Sequence, residues 1–503
     1  MMTLNRKEFL RLGAAAAVVT TASAILPAKV AAKVKPPQAY LIRNASILTM
    51  NANKEELYET DILIRDGRIV AIAKNITAGS AEIIPGDGKI IMPGMIDGHR
   101  HVWETILAAR LVKSSKNYRD YLRYNNMAMG VVYTPEDLYF AQLIGGLSAI
   151  DNGVTSIVDH AHVIHSPEKG DAAAKGLKDS GIGGFFCYQT GHTPSYGAGD
   201  TISTAQASHE IYKEPDEWHL AHAAVIRDKY FSSSTDPLQF GVALGHIEFA
   251  PRTVESIRQE IVLGRRLGAR LMTQHVAGRA GDEGMALPHE YRVITDLAKA
   301  DLLGPDYHIS HGNDLTDAEL GYLRDSGGHI ASSVMGEFPY ASPSVHGRAM
   351  KAGVPVGIGI DVPLALTWDF FEHCRAALWG LHKGATNAAI VRTLESADIL
   401  SFATSLGAKA IRMDDQIGSV EVGKRADLLM LRTDRFGFPP SGSLADRVLN
   451  FAYQHDIDAT WIAGKQVKRD GKMIGVNWPV MKAQMEERQR RIFRDADSIR
   501  FTG

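Results

Sequence analysis

The 503-residue sequence predicts an α/β protein: a (β/α)8 barrel of TIM type over residues 93–413, with a small β-sandwich domain built from both flanks, 37–92 and 414–476. Three observations predict it. From about Ile90 to Met413, short apolar runs alternate with stretches of helical period, the pattern of a parallel sheet with crossover helices. Eight such runs can be counted, and the span suits a barrel of about 250 residues plus insertions. Two Asp-Gly turns, Arg65-Asp66-Gly67-Arg68 and Arg469-Asp470-Gly471-Lys472, stand between apolar runs near opposite ends of the chain. Each reads as a tight hairpin, and the two β-rich flanks are expected to pair. A doubly wound open sheet is the competing architecture, but no glycine-rich dinucleotide loop follows the first run.

Taken in order, residues 1–32 read as an export signal peptide. Arg6, Lys7 and Arg11 form a basic start, Leu12 to Leu26 is apolar and Ala-rich but short for a membrane span, and Ala-Lys-Val-Ala-Ala at 28–32 is an acceptable cleavage region. Asn5-Arg6-Lys7-Glu8-Phe9-Leu10 is similar to a twin-arginine signal, with Lys7 where the second arginine stands. The expected destination is periplasmic or secreted. Runs at 39–50 and 61–72 open the β domain. Ile90-Ile91-Met92 is read as the first barrel strand. The other seven strand candidates are 156–159, 184–188, 240–244, 270–274, 307–310, 329–332 and 354–360, with helices expected at 254–267, 291–300 and 318–325. Residues 113–133 and 191–232 read as long loops carrying no code. After the β domain closes, residues 477–503 form a highly charged helix, expected to pack on one side.

Composition narrows the partners. Charged residues are 22% and the formal net charge is −2, so bulk electrostatics make no case for nucleic acid. Two cysteines, Cys187 and Cys374, make neither a disulfide framework nor a Cys-type zinc site. A small-molecule substrate and no stable membrane span after processing are expected; a homo-oligomer stays open.

The chemistry stands at the strand ends, which a barrel gathers around one mouth. His99 and His101 fall on one side of an extended segment. Asp159, His160 and His162 follow the second run, His275 the run at 270–274, His311 the run at 307–310, and Asp361 the last. One strand-end histidine is usually a satisfied polar residue. This many of the chain's 19, closed by a carboxylate, reads as a metal site. His160, His162, Trp103, Glu337 and Phe338 are expected to meet substrate at the mouth. His165 reads as a surface residue, and His308 and His246 receive no role.

These motifs resemble the amidohydrolase superfamily, in its cytosine/guanine deaminase-like and triazine hydrolase branch. The carriers are Pro93 to His101 (PGMIDGHRH), Asn152 to His160 (NGVTSIVDH), Ser310 to Leu320 (SHGNDLTDAEL), Gly357 to Asp361 (GIGID) and Ile417 to Leu428 (IGSVEVGKRADL), spread over most of 39–475. The resemblance implies one divalent ion, zinc first and iron second, held by His99, His101 and His275 with Asp361 near it. It implies that Asp361 moves the proton of a metal-bound water, whose hydroxide attacks, and that His311 polarises the substrate. Two-metal members carry a carboxylated lysine after the fourth strand; residues 240–251 contain no lysine. In the deaminase branch a glutamate stands three residues after the fifth-strand histidine, where this chain has Gly278. Glu283 and Glu337 are the carboxylates that could replace it. The expected function is therefore metal-dependent hydrolysis of a non-peptide C–N bond, of amide, carbamate or urea type, in a small organic molecule. The alternatives are deamination of a nitrogen heterocycle and a catalytically silent binding protein.

Overall fold

The computed structural model describes residues 39–110, 118–211, 213, 215–245, 252–276, 292–340 and 342–503. The export-signal reading of 1–32, and the positions His246, Gly278 and Glu283, lie outside the described residues.

Eight parallel strands make one sheet: Met95–Arg100, Val154–Ala161, Gly183–Gln189, Leu238–Ala243, Met272–Val276, Tyr307–His311, His329–Ser332 and Val356–Ile358, each paired with the next in chain order. The first and eighth strands close the barrel just past their ends. Asp361 N donates to His99 O at 2.8 Å and His101 N to Asp361 O at 2.9 Å. Glycine makes this approach feasible: a Cβ on Gly359 would lie 2.6 Å from both the backbone N and O of His99. From inside, the buried Asp97 carboxylate accepts from Ile360 N at 3.0 Å and from Arg100 Nε at 2.7 Å, a second tie between the two strands.

The barrel floor is apolar. Ile96, Val158, Phe185, Cys187, Ala243 and Leu271 meet Ala408, Ile411, Met413 and Ile417 in one buried cluster, so the chain leaving the barrel plugs it. Outside, helices begin where sequence signals place them. Pro135–Asp151 has a Thr134–Asp137 capping box, and Asp317–Ser326 has a Thr316–Glu319 capping box with Gly327 in the left-handed region at its end.

Ile90-Ile91-Met92 is not the first barrel strand. It lies in Lys89–Pro93, which pairs parallel with Ala39–Leu48 and antiparallel with Leu428–Arg432. The barrel strand starts after Gly94. Both segments are buried and apolar, so periodicity cannot tell which sheet each joins.

The flanks do form one nine-stranded sheet, joined at that Lys89–Pro93 to Leu428–Arg432 pair. It encloses its own core, in which Tyr40 meets Trp461 edge-on, ring centroids 6.2 Å apart. Both Asp-Gly turns are left-handed at both residues, with φ 49° and 81° at Asp66-Gly67 and 51° and 72° at Asp470-Gly471. A third turn, Ala463-Gly464, has the same form.

The stretches read as long loops hold helices. Tyr118–Tyr124 continues into a π-turn at Asn125–Met129, and Thr204–Ile211 and Glu217–Tyr230 follow the third strand. The C-terminal helix, Trp478–Asp497, buries Ile492 and Ala496, and Arg488 and Arg491 pair with Asp137. Arg500–Thr502 then pairs parallel with Thr201–Ser203.

Candidate metal centre

The barrel's C-terminal mouth brings His99, His101, His275 and Asp361 together, with one ligand atom from each within 4.8 Å of all the others. Asp361 Oδ1 lies 3.1 Å from His99 Nε2 and 3.2 Å from His101 Nε2; His275 Nε2 lies 3.3 Å from His101 Nε2. All four residues are buried. Basic nitrogens converging on one another and on a carboxylate suit a divalent cation, and this set fits zinc or iron.

Electrostatics prepare the ligands. Burial holds His99 down at about 4 against the pull of Asp361, so its imidazole is neutral at pH 7. Burial, then the neighbouring imidazoles of His160 and His99, hold His275 well below the ordinary range. Burial alone would raise the Asp361 carboxyl. His311 and the hydrogen bonds of His101 and His99 outweigh it and keep that carboxyl well below the usual carboxylate range. Asp361 and His311 both have left-handed backbones, φ 68° and 76°. Such strain persists where the surroundings over-determine it, and it is common at functional sites.

Partners behind the ligands orient them. Ser310 Oγ lies 2.9 Å from His99 Nδ1, which turns His99 Nε2 to the centre. Thr273 Oγ1 contacts both Ser310 Oγ, at 3.3 Å, and His308 Nδ1, at 3.1 Å, so His308 supports this chain of contacts. His311 Nδ1 lies 3.1 Å from Glu337 Oε1. Glu337 also accepts from Ser333 N at 2.6 Å, Ser332 Oγ at 2.9 Å and Asn313 Nδ2 at 3.2 Å. Burial pushes the Glu337 carboxyl up, but these donors, His311 first, bring it below its ordinary value.

Glu337 is thus placed behind His311 and not at the mouth, where substrate contact was expected. Its full burial and these donors, with the Ser344 side chain beside them, leave it bracing the imidazole. Phe338 beside it is exposed, whereas Tyr340 approaches His311, ring centroids 6.4 Å apart. Trp103 is fully buried against Tyr133 and sits 6.3 Å from the His162 ring. His160 and His162 are at the centre: His162 stacks on His101 at 4.3 Å and His160 lies 4.1 Å from the His275 ring.

Comparison with known proteins then places the chain. A 5-methylthioadenosine/S-adenosylhomocysteine deaminase from Acetivibrio thermocellus is 24% identical over 460 residues, covering 90% of this chain and 99% of that protein. A 5'-deoxyadenosine deaminase from Methanosarcina barkeri is 22% identical over 448 residues, covering 87% and 94%. Among solved structures, a zinc-bound adenosine deaminase from Xanthomonas campestris superposes with a TM-score of 0.73 at 18% identity, covering 90% of this chain and 98% of that one. A mutant atrazine chlorohydrolase from Arthrobacter aurescens, complexed with zinc and atraton, gives 0.73 at 17% identity, covering 90% and 100%. The model of the amidohydrolase family matches residues 345–467, which carry Asp361 and the return into the β domain. The fold is that of these solved structures, and the match to the amidohydrolase family lies in the second half of the chain.

At the mouth, Glu104 stands with Trp103 among the residues expected to touch substrate, and two further features escaped the sequence reading. Glu104 is a buried acid whose carboxyl burial raises to about 8; it accepts from Tyr121 Oη at 2.5 Å and from Asn125 on the helix inserted after the first strand. A polar pocket runs from His162 past His165, His192 and His219 to Arg252 and Glu260. Glu260 accepts from Thr190 Oγ1 at 2.9 Å, Gly245 N at 3.0 Å and Arg252 Nη1 at 2.9 Å. His165, expected at the surface, is half-buried in this pocket.

Proposed function

We propose that this protein is a metal-dependent hydrolase that cleaves a non-peptide C–N bond of a small organic molecule, with His99, His101, His275 and Asp361 holding one ion. The observation that carries the reading is the convergence of three buried imidazoles and one buried carboxylate beside a braced His311. A divalent ion held there lowers the pKa of water towards neutrality and so makes hydroxide available.

The chain's own residues do the rest. Asp361 accepts the proton of the attacking water and passes it to the departing nitrogen, so that a C–O bond forms as the C–N bond breaks. His311, held by Glu337 through Nδ1, presents its other ring nitrogen to the substrate and donates to the oxygen that gains charge. The barrel rim and the buried Trp103 keep bulk water away from these groups.

A second reading is supported by the relatives, whose names are adenosine-type deaminases over nearly the full chain. It is hydrolysis of an exocyclic amine on a nitrogen heterocycle. It needs a proton on the ring nitrogen, and Glu337, one of the two replacements for the acid absent at Gly278, is committed to His311. The export reading of 1–32 supports a periplasmic or secreted place of work, which fractionation of cells expressing the full chain tests.

Purified protein should be screened against amides, carbamates, ureas and amino-heterocycles by ammonia and amine release. For whichever substrate turns over, Asp361→Asn should cut kcat/KM at least about 1,000-fold with metal retained. A variant that keeps its rate would remove Asp361 from the mechanism.

A further inference from the structure

His160 and His162 lie against the centre, yet the proposed reaction gives them no work. One ring nitrogen each from His160, His162 and His275 fall within 4.8 Å of one another, and all three residues are buried. Ring centroids are 4.1 Å apart for His160–His275, 4.9 Å for His160–His162 and 5.7 Å for His162–His275.

The backbone is bent to make this arrangement. His162 N donates to His160 O at 2.9 Å, a turn over a single intervening residue, and Val163 follows with φ 54°. A β-branched residue in the left-handed region is an outlier that surrounding contacts must hold in place. Those contacts include the His162 ring stacked on His101 and the His101 Nδ1 approach to His160 O at 3.4 Å. Asp159 Oδ1 accepts from Val102 N at 3.2 Å, tying the end of the second strand to the turn after the first.

The two groups share His275: it stands with His99, His101 and Asp361 in one and with His160 and His162 in the other, so with two ions bound it passes to the second and His99, His101 and Asp361 keep the first. We propose that His160, His162 and His275 hold a second divalent cation beside the first. This rests on the metal-dependent reading above. Three imidazoles suit zinc or iron, and three protein ligands leave a position open, as catalytic sites do.

The test is a metal count. The full protein is stripped with a chelator, titrated with zinc(II), desalted and measured by inductively coupled plasma mass spectrometry. Wild type should hold two equivalents. The His160→Asn/His162→Asn protein should hold one, its second equivalent weakened by more than about 100-fold. Wild type saturating at one equivalent, or the double variant still holding two, would overturn the inference. One equivalent would leave the proposed function standing, whereas none would remove both. If the double variant does not fold, wild type loaded with cobalt(II) decides: a spin-coupled pair in the paramagnetic resonance spectrum supports two adjacent ions, and isolated-ion spectra overturn them.

Discussion

At the residue scale, the groups behind the ligands are as consequential as the ligands. Glu337 is held among His311, Asn313, Ser332, Ser333 and Ser344. Glu337→Gln should therefore lower kcat by about 10- to 100-fold and shift the pH profile of kcat, while leaving KM and metal content near wild type. A change confined to KM would return Glu337 to the mouth. Ser310→Ala should weaken metal affinity by about 10-fold or more, because His99 loses the contact that orients it; competition with a chromogenic chelator measures it. The ligand histidines were legible because a strand end places them and metal chemistry restricts their type. Glu337 was legible only as a carboxylate near the mouth: the direction of its side chain depends on Ser332, Ser333 and Asn313, whose arrangement no spacing encodes.

At the element scale, closure of the barrel is what holds the centre together. Gly359 lets the eighth strand touch the His99 backbone, and Asp361 follows directly. Gly359→Ala forces backbone apart and should cost about 1–3 kcal/mol, with metal affinity falling in parallel; thermal unfolding with and without zinc reads both. Gly471→Ala should cost about 1–2 kcal/mol through its left-handed φ of 72°, with no effect on metal. The two Asp-Gly hairpins were readable because that dipeptide is a local signal. The Ala463-Gly464 turn was not, since alanine seldom takes a positive φ and here packing imposes it: a Cβ on Gly67 would lie 2.9 Å from Ala463 O. The helices at Tyr118–Tyr124 and Glu217–Tyr230 were missed because they pack as insertions and carry weak periodicity, and the strand at Lys89–Pro93 was assigned to the barrel because two buried sheets look alike in sequence.

At the scale of the whole molecule, buried histidines outside the centre set the acid limit. Burial holds His219, His329 and His373 at about 4, against an ordinary 6.5. The unfolded chain therefore takes up protons first on acidification. Their contribution to stability is full above about pH 6.5, is lost as pH falls from about 6.5 to about 4, and is constant below that. Denaturant unfolding across this range should show the slope, and His329→Asn should reduce it; an unchanged slope would remove His329 from the account. The barrel with its flanking β domain was legible as a whole because alternation along the chain and pairing of distant hairpins are global signals, and from the barrel followed the mouth and its metal ligands. All of this chemistry depends on these ligands holding a metal. Elemental analysis of wild type and His99→Asn, expressed side by side with zinc and iron supplied, tests it most directly. Wild type should carry at least one equivalent of zinc or iron per chain, and the variant should lose most of it. A metal-free wild type, or equal content in both proteins, would contradict it.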